Sequence, residues 1–194
     1  MIKLERPDCP NSAALRNNYK HAQNKEALRI SANDKCMYCE SKITHIDFAQ
    51  VEHIKPKSEE KYPELEFEWT NLGYCCPKCN NNKSDNYDVI TPYIDPYSEE
   101  PENHITAFGN ILFPKNGCER GEITIRDIGL NRSELIERRL ERINEITRAI
   151  NSCFRTNSIS LRNAALEELK VEADKDKEYS LVIKKLLKIH EILD

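Results

Sequence analysis

Two cysteine pairs constrain this 194-residue chain more than any other feature of its sequence. Cys36 and Cys39 form one CxxC pair, Cys76 and Cys79 form the other, and 36 residues separate the pairs. A tight turn brings the sulfurs of residues i and i+3 together, so each pair suits one side of a tetrahedral zinc ion. The spacing predicts one structural zinc, with Cys75 as an alternative to Cys76. Four buried cysteines without a metal are the other interpretation.

The composition is that of a chain without a membrane span. No run of 18 apolar residues occurs, and the N-terminal stretch MIKLERPDCP lacks the apolar core of a signal peptide. We therefore expect a cytoplasmic protein, whose eight cysteines act as metal ligands or small apolar residues rather than in disulfides. The formal net charge of −4 differs from the basic excess usual in proteins that hold nucleic acid by themselves.

The segment between the cysteine pairs carries groups suited to catalysis. A four-cysteine site has no open coordination position, so its zinc would hold the fold and take no part in chemistry. In VEHIKP, His53 stands beside an acid, Glu52, which makes His53 the candidate general base. On an extended backbone these two neighbouring side chains point in opposite directions. The alternative is a surface accident, because a lone EH dipeptide usually marks no site.

The order of these motifs resembles the HNH endonuclease family in its zinc-supported form. The resemblance rests on CMYCE, VEHIKPK and EWTNLGYCCPKCNNNK, in which the third motif position, histidine in many members, is Asn80. The later YIDPY and DIGLNRSELIERR stretches are similar to one subfamily, the PtuB-like proteins of Septu anti-phage defence and of certain retron operons. The subfamily resemblance extends over residues 36–140.

This resemblance implies a DNA phosphodiester hydrolase with a second metal ion besides the zinc. Glu52 and Asn80 would bind a divalent cation, and their oxygens suit Mg²⁺ or Mn²⁺. His53 would activate water as the general base. Asn71 would brace the loop that carries His53 by hydrogen bonding its backbone. His53, Asn71 and Asn80 are thus the expected catalytic set.

The charge pattern and the resemblance together predict a partner. Residues 51–90 hold five lysines and eight acids, and the five glutamates between residues 59 and 68 would repel a DNA backbone. Lys55 and Lys83 are the candidate phosphate contacts. PtuB-like proteins are paired with an ATPase, PtuA, so we expect a hetero-oligomeric complex in which that ATPase supplies most of the grip on DNA. A retron context would add a reverse transcriptase and its nucleic acid.

We predict an α+β fold, in which a zinc-supported ββα-metal module is surrounded by N- and C-terminal helices. The predicted divisions are a helical segment over 1–33 with a helix over 12–31, the HNH module over 34–90, an extension over 91–130, and C-terminal helices over 131–194. Short strands or hairpins, EITIRDI among them, are expected in the extension. Asn131 and Glu134 resemble a capping box for the next helix, and further helices are predicted over about 160–172 and from about 176. These last helices would dock the partner or cover the module.

Two other functions fit parts of the pattern. A zinc-ribbon binding module without activity would share the cysteines and would need no Glu52–His53 pair. A stand-alone, restriction-type HNH nuclease would share both features and lack the partner. A neighbouring gene for an ATPase or a reverse transcriptase would favour the defence complex.

Overall fold

The computed structural model describes residues 1–43 and 48–193, so His45, which the sequence leaves without a partner motif, lies outside the described residues. The α-helices in these ranges are α1 (Ser12–Leu15), α2 (Ala22–Ser31), α3 (Pro77–Lys83), α4 (Glu119–Asp127), α5 (Ser133–Arg155), α6 (Ile159–Val171) and α7 (Ser180–Ile189). The strands are β1 (Gln50–His53), β2 (Leu72–Cys75), β3 (Ile105–Phe108) and β4 (Ile111–Pro114). Helices with small separate sheets match the predicted α+β class. None of the described helices has the length and apolar character that crossing a membrane requires.

The first sheet and α3 position the residues of the motif. Strands β1 and β2 pair antiparallel, with His53 opposite Leu72. Helix α3 follows two residues after β2, and Pro77 opens it, where a missing N–H leaves no hydrogen bond unmade. The Cys76 sulfur accepts a hydrogen bond from the backbone N–H of Cys79 and so caps the helix. Strand, strand and helix follow one another, which brings the segments around His53 and Asn80 to the same sheet.

The second sheet is the predicted hairpin of the extension, but part of that prediction is wrong. Strands β3 and β4 pair antiparallel around Gly109, whose positive φ of 56° suits the turn. EITIRDI, predicted as a strand, lies in α4 and the residue after it. Residues 121, 124, 125 and 128 of this region are buried, which is the i, i+3, i+4, i+7 spacing of a helix face. Three alternating isoleucine and threonine residues fit either period, so the short run was ambiguous.

The N-terminal helix predicted over 12–31 is instead two helices. Asn11 caps α1 with its side-chain oxygen on the Ala14 N–H, and the chain leaves the helix after Leu15. Asn24 of α2 is buried and bonds the backbone of Asn11 in both directions, at 3.0 Å each. These side-chain to backbone bonds favour a break, as asparagine competes with helical bonding.

The C-terminal helices differ from the prediction at their beginnings. Helix α5 begins after Arg132, so the predicted capping box at Asn131 is wrong. The Asn131 amide instead bonds the backbone of Leu112 in β4 in both directions, at 3.0 and 2.8 Å. Helix α6 lies where a helix was predicted. Helix α7 begins at Ser180, four residues later than expected.

One apolar core joins both ends of the described chain. It runs from Met1 through the cysteine pairs to Val182, and a second cluster lies among α5, α6 and α7. Leu181 is fully buried, and the Tyr179 hydroxyl lies 3.0 Å from that of Ser41, beside the first cysteine pair. Helix α7 therefore covers the cysteine module. This core contains residues from all four predicted segments of the chain, so the boundaries between those segments stay predictions.

Candidate active site and metal centres

The cysteine pairs converge on one buried group. The sulfurs of Cys36, Cys39, Cys76 and Cys79 all lie within 4.8 Å of one another. Four sulfurs at this separation are the donor set of a closed zinc site. Cys75 is fully buried, with its sulfur 3.7 Å from that of Cys36, and it lies next to the group rather than within it.

His53 ends β1 with its imidazole held by a backbone oxygen. Its Nε2 lies 2.9 Å from the carbonyl oxygen of Glu66, which can only accept a hydrogen bond. Nε2 therefore carries the proton, and Nδ1 is the basic atom of the neutral ring. The ring of Tyr19 packs edge-on against the imidazole, with centroids 4.6 Å apart. Burial lowers the pKa of His53 below its ordinary 6.5, against the opposing effect of the bond to Glu66, so the ring is neutral at neutral pH.

Asn71 holds the loop that follows His53. Its side-chain oxygen accepts from the Lys55 N–H at 2.8 Å, and its amide nitrogen donates to the carbonyls of Lys55 and Leu65 at 2.9 and 3.2 Å. Asn71 is 5% exposed, so these bonds form away from competing water. The resemblance implied that Asn71 braces the loop that carries His53, and its part in catalysis stays a prediction.

Glu52 is buried beside His53 in an ion pair. Its Oε1 lies 2.8 Å from the Lys83 ammonium, which also donates to the His53 carbonyl at 2.9 Å. Both side chains are 1–2% exposed. Burial raises the pKa of Glu52, and the charge of Lys83 opposes that shift. The prediction of Lys83 as a phosphate contact is wrong, because its ammonium is enclosed by these two partners.

A cleft of about 590 Å³ brings the motif together. Glu52, His53 and Asn80 all line it. The Asn80 amide nitrogen donates to the side chain of Gln50, so its carbonyl oxygen is the atom available as a ligand. A carboxylate and an amide oxygen at one cleft are the kind of donors that Mg²⁺ and Mn²⁺ prefer, and in this respect the residues fit a divalent cation.

Comparison with known proteins finds relatives of the segment that holds these residues. Residues 36–86 match the family model described as HNH endonuclease. The chain is therefore similar to HNH endonucleases over this segment. It is 29% identical to the Septu protein PtuB of Bacillus thuringiensis, over 96% of this chain and 82% of that protein.

In two further relatives the similar region covers a smaller share of this chain and of the relative. The Septu protein PtuB of Bacillus mycoides is 30% identical over 62% of this chain and 51% of its own length. The retron Vc95 putative HNH endonuclease of Vibrio cholerae is 34% identical over 65% of this chain and 64% of its own.

The charge around the cleft differs from that expected from the sequence. Three lysines line the cleft, Lys20, Lys25 and Lys57. The acids among its described lining residues are Asp85 and Glu52, of which Glu52 forms the ion pair with Lys83. None of the five glutamates between residues 59 and 68 lines it. Charge counting along 51–90 missed this, because two of the lysines come from the N-terminal segment.

Arg132 is a further residue that sequence reasoning missed in this chain. Its guanidinium donates to the Cys79 sulfur at 3.4 Å and to the Gly129 carbonyl at 3.1 Å. A cation in this place offsets the negative charge of a four-cysteine metal site and joins the start of α5 to it. No local pattern marks Arg132, since the contact spans 53 residues of sequence.

Proposed function

We propose that this chain is a metal-dependent endonuclease that hydrolyses phosphodiester bonds in DNA, as the nuclease of an anti-phage defence complex with a PtuA-like ATPase. The observation that carries the proposal is the convergence of His53, Glu52 and Asn80 on one cleft. His53 there presents a neutral, basic Nδ1, and the other two residues offer oxygen ligands. A zinc-binding module without activity needs neither a basic histidine nor oxygen ligands for a second cation.

His53 takes the proton from the attacking water at Nδ1. The Glu66 carbonyl holds the opposite ring nitrogen and so fixes the tautomer and the direction of the lone pair. Asn71 keeps the following loop in place through its three backbone bonds, which prevents His53 from moving away from the scissile phosphate. Positioning of this kind is a large part of phosphoryl-transfer catalysis.

Glu52 and Asn80 would hold a divalent cation, Mg²⁺ or Mn²⁺, which when bound neutralises charge on the scissile phosphate and the leaving oxygen. Lys83 orients Glu52 by bonding its Oε1 and at the same time bonds the carbonyl of His53. The base and the metal ligand are thereby fixed by one buried side chain. The four cysteines would hold a zinc that is structural and takes no part in the chemistry.

The names of the relatives support a biological setting for this activity. Two are Septu PtuB proteins and one is a retron-associated HNH endonuclease, which supports a defence system as the setting. We infer from this setting a hetero-oligomeric complex with an ATPase, joined in a retron by a reverse transcriptase. A stand-alone nuclease is the competing function, and addition of the partner distinguishes the two.

Add-back of metal tests the activity itself. Protein dialysed free of Mg²⁺ and Mn²⁺, with its zinc content measured as intact, should leave plasmid DNA uncut. Addition of Mg²⁺ or Mn²⁺ should restore cutting, and addition of Zn²⁺ alone should not. Cutting that persists with zinc as the sole metal would contradict the assignment of Glu52 and Asn80 to a second cation.

A further inference from the structure

The N-terminal segment, residues 1–31, lies outside the region matched by the HNH model but is fastened to it. Arg6 donates to the carbonyls of Trp69 and Leu72, at 2.8 and 2.7 Å. In the opposite direction, the indole N–H of Trp69 donates to the Pro7 carbonyl at 2.8 Å. Leu72 pairs with His53 across the sheet, so these bonds fix the segment close to the strand that carries the base.

The fastened segment contributes a side chain that touches the base. Tyr19 lies edge-on to the His53 ring, and the Lys57 ammonium stands 4.4 Å from the centroid of the Tyr19 ring. Lys57 also forms an ion pair with Glu66, whose carbonyl holds His53. Tyr19 therefore belongs to the packing that surrounds the base, although it is 34 positions away in the sequence.

Two lysines of the same segment line the cleft and form no ion pair with any described residue. Lys20 and Lys25 both line it, and within 1–43 and 48–193 neither forms an ion pair, whereas the charge of Lys57 is offset by Glu66. The Lys20 ammonium lies 5.3 Å from the centroid of the Tyr19 ring. An ammonium on a flexible stem at a wet cleft is suited to a phosphate oxygen.

We infer that Lys20 and Lys25 bind the phosphodiester backbone of the substrate, so that the N-terminal segment forms one wall of the nuclease cleft. This inference rests on the proposed nuclease function and names the groups that hold its substrate. The motif residues Glu52, His53 and Asn80 act at the scissile phosphate. The two lysines therefore contact phosphates on either side of it. Contacts to phosphates carry no sequence information, so this grip is independent of sequence and sensitive to salt.

The test measures DNA binding by the full chain in a His53→Ala background, which keeps the DNA intact. The affinity for a labelled duplex is followed by fluorescence anisotropy over a salt series. Lys20→Gln with Lys25→Gln should weaken binding at low salt and reduce the slope of log K against log salt by about 1.8, roughly 0.9 for each lost phosphate contact. Lys170→Gln with Lys175→Gln is the matched control, since it removes equal charge outside the cleft and should leave the slope unchanged.

Zinc content, measured on each variant, shows that the fold is retained. Equal slopes for the two double variants would overturn the inference, and so would a parent protein that binds no duplex. The proposed function is judged separately, by cutting of DNA with Mg²⁺ or Mn²⁺. A protein that cuts DNA but shows no difference between the double variants refutes the lysine contacts alone. A protein that shows the slope difference but never cuts refutes the nuclease and keeps the binding cleft.

Discussion

At the scale of single residues, the surroundings of His53 set its protonation. Burial lowers its pKa, and the Glu66 carbonyl fixes which nitrogen keeps the proton. Neither effect is visible in the VEHIKP sequence, where Glu52 is the conspicuous neighbour. The Glu52 side chain is directed toward Lys83. Glu52 is therefore the neighbour of His53 in the sequence but not its hydrogen-bond partner in the structure.

The lowered pKa of His53 predicts the pH dependence of cleavage. A base with a lowered pKa remains unprotonated to a lower pH, so cleavage should stay at its plateau through pH 7 and fall only on further acidification. The acidic limb of kcat/KM, which reports the free enzyme, should have its midpoint below 6.5, the ordinary value. A midpoint at or above 6.5 would show that burial does not control this base.

Asn71 provides a second test at this scale. Asn71→Ala removes three part-buried hydrogen bonds, and the backbone N–H and carbonyl of Lys55 lose their side-chain partner. We expect a loss of about 1–3 kcal/mol in the free energy of unfolding, measured with urea, together with slower cleavage. Asn151→Ala on the exposed face of α5 is the control and should change stability by less than about 0.5 kcal/mol. Unaltered stability of Asn71→Ala would contradict its bracing role.

At the scale of elements, the cysteine group joins two parts of the module. Cys36 and Cys39 precede β1, whereas Cys76 and Cys79 lie at the beginning of α3. Binding of zinc to such a group is coupled to folding, because the unfolded chain has no preformed site. A zinc ion held by this group would therefore set the position of α3, which carries Asn80, relative to the sheet that carries His53.

Exchange of single cysteines tests this coupling. Cys39→Ser or Cys76→Ser should lose zinc, measured by elemental analysis, and should unfold at a lower temperature than the parent. Cys75→Ser is the matched control, since its sulfur lies outside the group, and it should keep the zinc. Retention of zinc by Cys76→Ser and its loss from Cys75→Ser would assign the ligand to Cys75 instead.

The elements also show what the sequence could and could not predict. Spacing predicted the cysteine group, the family motif and α6, because each depends on residues close together in the chain. It failed at EITIRDI, where a short alternating run fits both periods, and at Asn131, whose side chain bonds β4 instead of capping α5. It also failed to find the break after Leu15, which depends on a bond between Asn11 and Asn24.

At the scale of the whole molecule, net charge proved a poor guide to the site. The chain carries −4, yet its cleft has two lysines that no described acid offsets. These lysines, Tyr19 and Arg132 could not be assigned from the sequence, since only tertiary contacts bring them to the motif. The local basic wall and the acidic whole together imply weak, salt-sensitive binding of DNA by the isolated chain.

That charge distribution predicts a large effect of the partner. We expect a PtuA-like ATPase, added to the purified protein, to accelerate cleavage of plasmid DNA and to reduce its sensitivity to salt. Rates with and without the ATPase, over a salt series with Mg²⁺ or Mn²⁺, provide the measurement. Robust cutting that the ATPase leaves unchanged would favour the stand-alone nuclease.

The most direct measurement of the central claim compares two histidine variants in the same cleavage assay. His53→Ala removes the proposed base, and His190→Ala removes a histidine at the end of α7 that does not line the cleft. With the ATPase and Mg²⁺ or Mn²⁺ present, His53→Ala should cut plasmid DNA about 10²–10⁴-fold more slowly than the parent, with zinc content unchanged. His190→Ala should cut at the parental rate. Undiminished cutting by His53→Ala would contradict the account, because the cleft would then not be the nuclease site.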